Sequence, residues 1–405
     1  MQSAEVRSAK SWARLDGIDL LRGCAIFFVV MNHVNMQLLF GHVHYTLNWP
    51  HWLVPALVWN GQYGVQMFFA VSGFLITATS LRRWGSLGNV RLREFYGLRF
   101  ARIAPLLLLL LLVLSALDLA HVRGFVVHAK TGGLGHALLA ALTFRINVVE
   151  ATRGYLPGPW DILWSLSVEE TFYLAFPLAC RALRGGKWLV ALLAVFVVLG
   201  PFGRTIWAAG NPVWHEYSYL GSMDAIAVGC LTALALSRWK LRRRLAWVLA
   251  GCGAAAMLFV LLGSHWVYAW GLEWAGLAMS LLAVGACMVI AAAAETRWRA
   301  HWLLSPVTWF GRHSYEIYLT HIFAVLAAFA FYTRIGRPVS LAPVLFLMVF
   351  LMSAFLSGAV ARFYSEPANR WLRRRFGEGP QRMGEAVERG AGLLPRQPGI
   401  ICGEK

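Results

Sequence analysis

The sequence predicts an all-α fold, a polytopic transmembrane bundle of about ten spans with both termini in the cytoplasm. Three observations lead there. Of 405 residues, 59% are hydrophobic and only 14% charged, with a mean hydropathy of +0.58; a soluble domain of this length needs more charge to cover its surface. Apolar stretches near twenty residues long recur along the chain, the length that crosses a bilayer as helix. They lack the alternation of a membrane strand, and only helices or closed barrels satisfy their backbone in lipid.

The spans fall near 20–40, 62–81, 103–120, 161–181, 188–206, 221–237, 245–264, 272–294, 313–332 and 341–363. The first is long and carries Arg22, so it reads as a retained signal-anchor rather than a cleaved leader. The segment 134–146 is shorter and reads as an interfacial or re-entrant helix; as an eleventh span it would invert everything after it. With the N-terminus inside, the cytoplasmic segments hold 29 Lys and Arg and the outer loops 7, Arg204 among them, leaving Arg22 within span one. A wrong topology rarely gives so uneven a split. The net charge of +18 is therefore an orientation signal and an attraction to anionic headgroups, not a nucleic-acid patch. Residues 1–376 read as one membrane domain. Residues 377–405, rich in Gly, Pro and charge, read as a disordered cytoplasmic tail. The six cysteines show no metal-ligand spacing, and five lie in or at the ends of apolar stretches as packing residues. No metal or cofactor is expected.

Ionisable groups inside spans are costly and ask for an explanation. Arg22 and His33 lie eleven residues apart in LRGCAIFFVVMNHV, about 20° from three full turns, hence on one face and roughly 16 Å apart along the axis. Arg22 as a snorkelling anchor and His33 as an interhelical hydrogen bonder is the plain reading. In WSLSVEETFYLAFP, Ser165, Glu169 and Tyr173 recur at i, i+4 and i+8 as a polar stripe, from which the adjacent Glu170 must point away. In GRHSYEIYLTHIF, Ser314, Tyr318 and His321 share a face. Ser72-Gly73 falls near mid-membrane, where Gly73 permits close helix approach. Arg99 and Arg102, at i and i+3 before span three, make a fork suited to phosphate, or plain positive-inside charge.

Five segments occur in one order: LDGIDLLRGCAIFFVVMNH, GVQMFFAVSGFLIT, RFARIAP, WSLSVEETFYLAFP and GRHSYEIYLTHIF. Together, from Leu15 to about Pro367, they resemble the acyltransferase 3 family, membrane proteins that O-acylate bacterial surface polysaccharides and some secreted small molecules. The resemblance carries the family's arginine–histidine motif onto Arg22 and His33, and its paired arginines onto Arg99 and Arg102. Its glutamate falls on Glu169, its Ser-Gly-Phe element on Ser72, Gly73 and Phe74, and its last motif on Ser314, Tyr315, Tyr318, Leu319 and His321. Two positions depart: Gln66 stands where the family usually has an acidic residue, which puts acceptor contacts in doubt, and Thr171 where glutamine is common. Some relatives carry a fused C-terminal hydrolase domain that this sequence is not expected to have.

The resemblance implies an inner-membrane, multi-pass enzyme that takes an acyl group, in the simplest case acetyl, from cytoplasmic acyl-CoA. The acceptor would be a hydroxyl of an extracytoplasmic glycan or lipid-linked sugar. His33 would act as base or transient acyl carrier, with Glu169 orienting or charge-balancing it. Ser72, Tyr173, Ser314, Tyr318 and His321 would support, and Arg99, Arg102 and Arg22 would hold CoA phosphates. Buried Arg, His and Glu also suit a proton-coupled transporter, against which stands the lack of repeat symmetry. A non-catalytic part of an envelope assembly complex is the third reading.

Overall fold

The computed structural model describes residues 15–376 apart from positions 48, 51 and 209. The expected disordered tail, 377–405, and the basic residues before Leu15 lie outside the described residues. Among those described, every regular element is helical, and nine helical stretches are long and apolar enough to cross a membrane. These include α1 (Asp16–Phe40), α2 (Gly61–Trp84) and α3 (Leu92–Leu119). The next predicted span forms α4 (Leu163–Ala182), twenty residues long but made too polar for that group by the stripe it carries. There follow α5 (Lys187–Arg204), α6 (Tyr219–Arg238), α7 (Arg243–Leu262) and α8 (Leu277–Thr296). Last come α9 (Ser314–Arg334), α10 (Ala342–Val360) and α11 (Glu366–Phe376). A π turn over Ala361–Ser365 joins α10 to α11.

Four boundaries differ from expectation for physical reasons. Span three was placed from 103, but its helix starts at Leu92, because charge opposes lipid and not helix; the extra three turns project Arg99 and Arg102 from a rigid rod. Span eight starts at Leu277 rather than 272, since Gly271 and Gly276 hold left-handed turns at φ +69° and +65°. The last span runs on past 363 through α11. The 134–146 segment is a ten-residue helix, Gly133–Leu142, rising about 15 Å, half of what a span needs.

Apolar attraction between helices is weak in lipid, so close contact of small residues holds such a bundle together. A Cβ on Gly73 of α2 would strike the Ile226 carbonyl of α6, and one on Gly229 would strike the Ala70 carbonyl. Gly23 of α1 and Gly311 of the short helix Ser305–Arg312 interlock in the same way. The second device is charge. Arg204, counted from sequence as an outer-loop residue, is buried at the end of α5 and pairs with Asp224 of α6 at 2.7 Å. Its other donors reach the Gly276 carbonyl and Ser280, and Gln66 donates to Asp224 at 3.1 Å.

Candidate active site

Five helices enclose the polar cavity. α1 contributes Arg22; α2 contributes Phe68 and Ser72; α3 contributes Arg99 and Arg102. α4 contributes Ser165, Glu169 and Tyr173, and α9 contributes Ser314, Tyr315 and Tyr318. The empty space measures about 1000 Å³ out to open solvent. Eight of the ten residues singled out from sequence thus line one chamber, drawn from segments up to about three hundred residues apart.

The arginines form one end. The Arg99 guanidinium lies 3.8 Å over the Tyr173 ring, and Arg102 sits 5.0 Å from the Tyr315 ring and 3.7 Å from a Glu316 oxygen. Stacking on aromatic faces leaves the guanidinium N–H groups in the ring plane and available to oxygen ligands. Further in, the hydroxyls of Ser72 and Tyr173 both donate to Glu169 Oε1 and touch one another. The i, i+4 stripe makes this possible: Glu169 and Tyr173 stand one turn apart on α4, and Ser72 of α2 meets both. Glu170, as its phase requires, points away, is buried and lines no part of the cavity. Among the described residues Ser314 Oγ is buried with no hydrogen-bond partner at the cavity wall.

His33 and His321 lie elsewhere. Neither lines the arginine chamber; Tyr318 stands between, its ring 6.0 Å from that of His321. Tyr318 is held there by hydrogen bonds to Ser165 (2.6 Å) and the Ile162 carbonyl (3.0 Å). Beyond it the two imidazoles meet edge to face with centroids 4.8 Å apart. His321 Nδ1 faces two carbonyls, Tyr318 O at 2.8 Å and Ile317 O at 3.1 Å, so it must carry hydrogen. His321 Nε2 is therefore a lone pair, and His33 Nδ1, 3.2 Å away and 2.8 Å from the Val29 carbonyl, must be the donor to both. That leaves the Nε2 of His33 unprotonated, on a half-buried ring. The partner of His33 is thus His321, while Glu169, expected to orient it, bonds Ser72 and Tyr173 instead. Gln66, flagged for acceptor contacts, lines no part of the cavity and serves the Arg204–Asp224 pair.

Sequence reasoning passed over Glu316, which accepts from Ser365 at 2.8 Å while facing Arg102. It also passed over a carboxyl pair on the far side of Tyr318. Glu150 lies in the short helix Ile146–Arg153 and Asp161 ends Gly158–Asp161. Burial pushes the Asp161 carboxyl up to about 6, and burial together with Asp161 raises Glu150 well above the usual range. A carboxylate facing another across a short loop was the available signal.

A membrane-embedded helical bundle enclosing an arginine-rimmed chamber, a carboxylate–hydroxyl cluster and a histidine pair has the parts of a group-transfer enzyme. The model of a family described as an acyltransferase domain matches residues 15–362, and the chain belongs to this family, acyltransferase 3. It is similar to O-acetyltransferase OatA of Staphylococcus aureus (strain NCTC 8325 / PS 47), with 22% identity over 407 residues, 96% of this chain and 62% of that protein. A second S. aureus protein, from strain COL and provisionally named an O-acetyltransferase, is 24% identical over 343 residues, 78% of this chain and 52% of its own. The chain spans about half the length of the strain COL protein and under two thirds of OatA. No solved structure matches it.

Proposed function

We propose that this protein is an inner-membrane O-acyltransferase that carries an acyl group, most simply acetyl, from cytoplasmic acyl-CoA to a hydroxyl of an extracytoplasmic glycan or glycoconjugate. The basic end of the bundle faces the cytoplasm, where positive charge is retained. Arg22, Arg99 and Arg102 take CoA phosphates at that end, and the thioester arm runs inward past the Ser72–Glu169–Tyr173 cluster. Since His33 does not line this chamber, Tyr318 must turn aside for the thioester to reach it. The acceptor hydroxyl approaches His33 from the opposite end.

The bare Nε2 of His33 accepts the hydroxyl proton as the acceptor oxygen attacks the thioester carbon. The C–S bond then breaks, and the leaving CoA thiolate takes the proton back from the imidazolium. In a two-step version the same lone pair attacks the thioester carbon, the N–acyl bond forming as the C–S bond breaks and CoA thiolate leaves. The acceptor hydroxyl then takes the acyl group from the acyl-imidazole, its proton going to the thiolate. Ser314, whose hydroxyl has no partner among the described residues at the cavity wall, offers it to the carbonyl oxygen as charge builds there. Tyr318, held by Ser165 and the Ile162 carbonyl, separates the chamber from the histidines.

The observation that supports this reading most is the line of polar groups through the bundle: arginines, then the carboxylate cluster, then Tyr318, then a histidine pair with one free nitrogen. The test uses purified protein in liposomes, with radiolabelled acetyl-CoA outside and a panel of glycans inside. Wild type should move label to the enclosed acceptor, and His33→Ala should lose at least about 100-fold of that rate while inserting normally. Substantial transfer by His33→Ala removes His33 from the chemistry. Uptake of an unmodified solute with no acyl transfer would make the protein a transporter.

A further inference from the structure

We propose that Arg373 of α11, beyond the end of the family match at residue 362, belongs to the donor site and binds a phosphate of the acyl-CoA nucleotide.

Three contacts fix where this helix lies. Tyr364 donates to the Pro105 carbonyl of α3 at 3.1 Å, and Ser365 donates to Glu316 of α9 at 2.8 Å. At the other end Phe376 covers Gly97 of α3, whose added Cβ would come 2.6 Å from that ring. α11 therefore runs antiparallel to the cytoplasmic overhang of α3, its start beside Pro105 and its end beside Gly97. Arg373 lies one turn before Phe376, and so on the same face, which directs it to the stretch of α3 that bears Arg99 and Arg102. Arg373 is partly desolvated by its neighbours first of all, and after that it feels the charges of Arg102, Arg99 and Arg83.

The acids at this mouth are fewer than the arginines: Asp19, Glu169 and Glu316 act on Arg22, and Glu94 lies beside Arg83. Arg83 is matched, since it holds Glu94. Glu316 is the acid beside Arg102, and it is shared with the Ser365 hydroxyl. Arg99 leans on the ring of Tyr173. Arg373 adds a further positive charge to Arg22, Arg99 and Arg102, and like charges gathered at one rim repel unless an anion joins them. A single phosphate does not match so many guanidiniums. A nucleotide thioester does, with a diphosphate and a separate ribose phosphate spaced along it. Arg373 is itself exposed, so it is open to a ligand entering from solvent. An anionic lipid headgroup offers the same phosphate chemistry, and the experiment separates the two sources.

The inference rests on the acyl-CoA reading above. The protein in liposomes of zwitterionic lipid is given acetyl-CoA or S-acetylpantetheine, which has the same thioester arm and neither nucleotide nor diphosphate. Wild type should prefer acetyl-CoA strongly in kcat/KM. In Arg373→Gln that preference should fall about tenfold, through a raised KM for acetyl-CoA, and Arg373→Lys should keep most of it. An unchanged preference, or equal losses on both donors, overturns the assignment. An Arg373→Gln defect seen only when anionic lipid is present would give the residue to the bilayer and also overturn it. Wild type that transfers from S-acetylpantetheine as readily as from acetyl-CoA would remove the nucleotide site altogether, and the donor reading with it.

Discussion

His321 presents its free Nε2 lone pair to the Nδ1–H of His33, 3.2 Å away. In a serine protease a carboxylate holds the working imidazole in one tautomer; here a neutral imidazole, itself locked by the Tyr318 and Ile317 carbonyls, holds His33 in one tautomer. A neutral partner avoids a second unpaired charge in the membrane interior, where charge is expensive. His321→Gln keeps an acceptor oxygen near the old Nε2 position, whereas His321→Leu keeps volume alone. We expect kcat to fall about tenfold or more in the Leu variant and far less in the Gln variant, with KM for acetyl-CoA within twofold of wild type in both. Equal losses in the two would show that His321 only fills space.

Tyr173 has two separable tasks, since its hydroxyl meets Glu169 and Ser72 while its ring carries Arg99 at 3.8 Å. Tyr173→Phe removes the first and Tyr173→Leu removes both. A guanidinium on an aromatic face is worth about 1–2 kcal/mol when partly desolvated. KM for acetyl-CoA should therefore rise about fivefold more in the Leu variant than in the Phe variant. Identical KM values would separate Arg99 from Tyr173.

The class of fold and most of the chamber were legible because both leave periodic marks. Ser165, Glu169 and Tyr173 share a helix face at spacing four, and the structure sets all three on one cavity. Gly73 was expected to allow close approach and does so against the Ile226 carbonyl. What stayed hidden depended on pairing between helices, which no spacing along one helix reveals. Arg204 looks like a loop charge until Asp224, twenty residues on, is seen beside it. The Tyr318 ring between the arginine chamber and His321 is likewise invisible to a count of turns, because helix phase gives the direction of a side chain and not what stands across from it. α11 was missed for another reason: its arginines read as topology charge, and only its docking on α3 gives one of them a neighbourhood.

The Glu150–Asp161 pair should make stability depend on pH in the direction opposite to an ordinary surface carboxylate. Burial holds both groups above their unfolded values of about 4, Asp161 at about 6. The folded state thus binds more protons than the unfolded state in that window. Stability is complete below about pH 4 and declines as pH rises through about 6. Glu216, Tyr217, Tyr155 and Tyr318 are titratable neighbours of the pair, and none of these four supplies positive charge. Detergent-solubilised protein should lose a few degrees of melting midpoint between pH 5 and pH 7.5. Asp161→Asn should flatten that slope and raise the midpoint at pH 7.5. A wild-type midpoint that rises with pH over this range would contradict the assignment.

Arg204 and Asp224 pose the sharpest stability question, because both are all but fully buried and a buried ion pair is costly to assemble. The surrounding groups favour keeping the charges: Arg204 also donates to the Gly276 carbonyl and Ser280, and Asp224 accepts from Ser280 and Gln66. Removing one partner strands the other. Arg204→Met or Asp224→Leu alone should each cost about 3–5 kcal/mol, enough to lose most monodisperse protein after extraction. The double substitution strands neither charge, so it should recover a large part of the yield and of the melting midpoint. Additive losses in the double variant would mean that the two residues stabilise α5 and α6 separately, through the backbone of the 276 turn and not through each other.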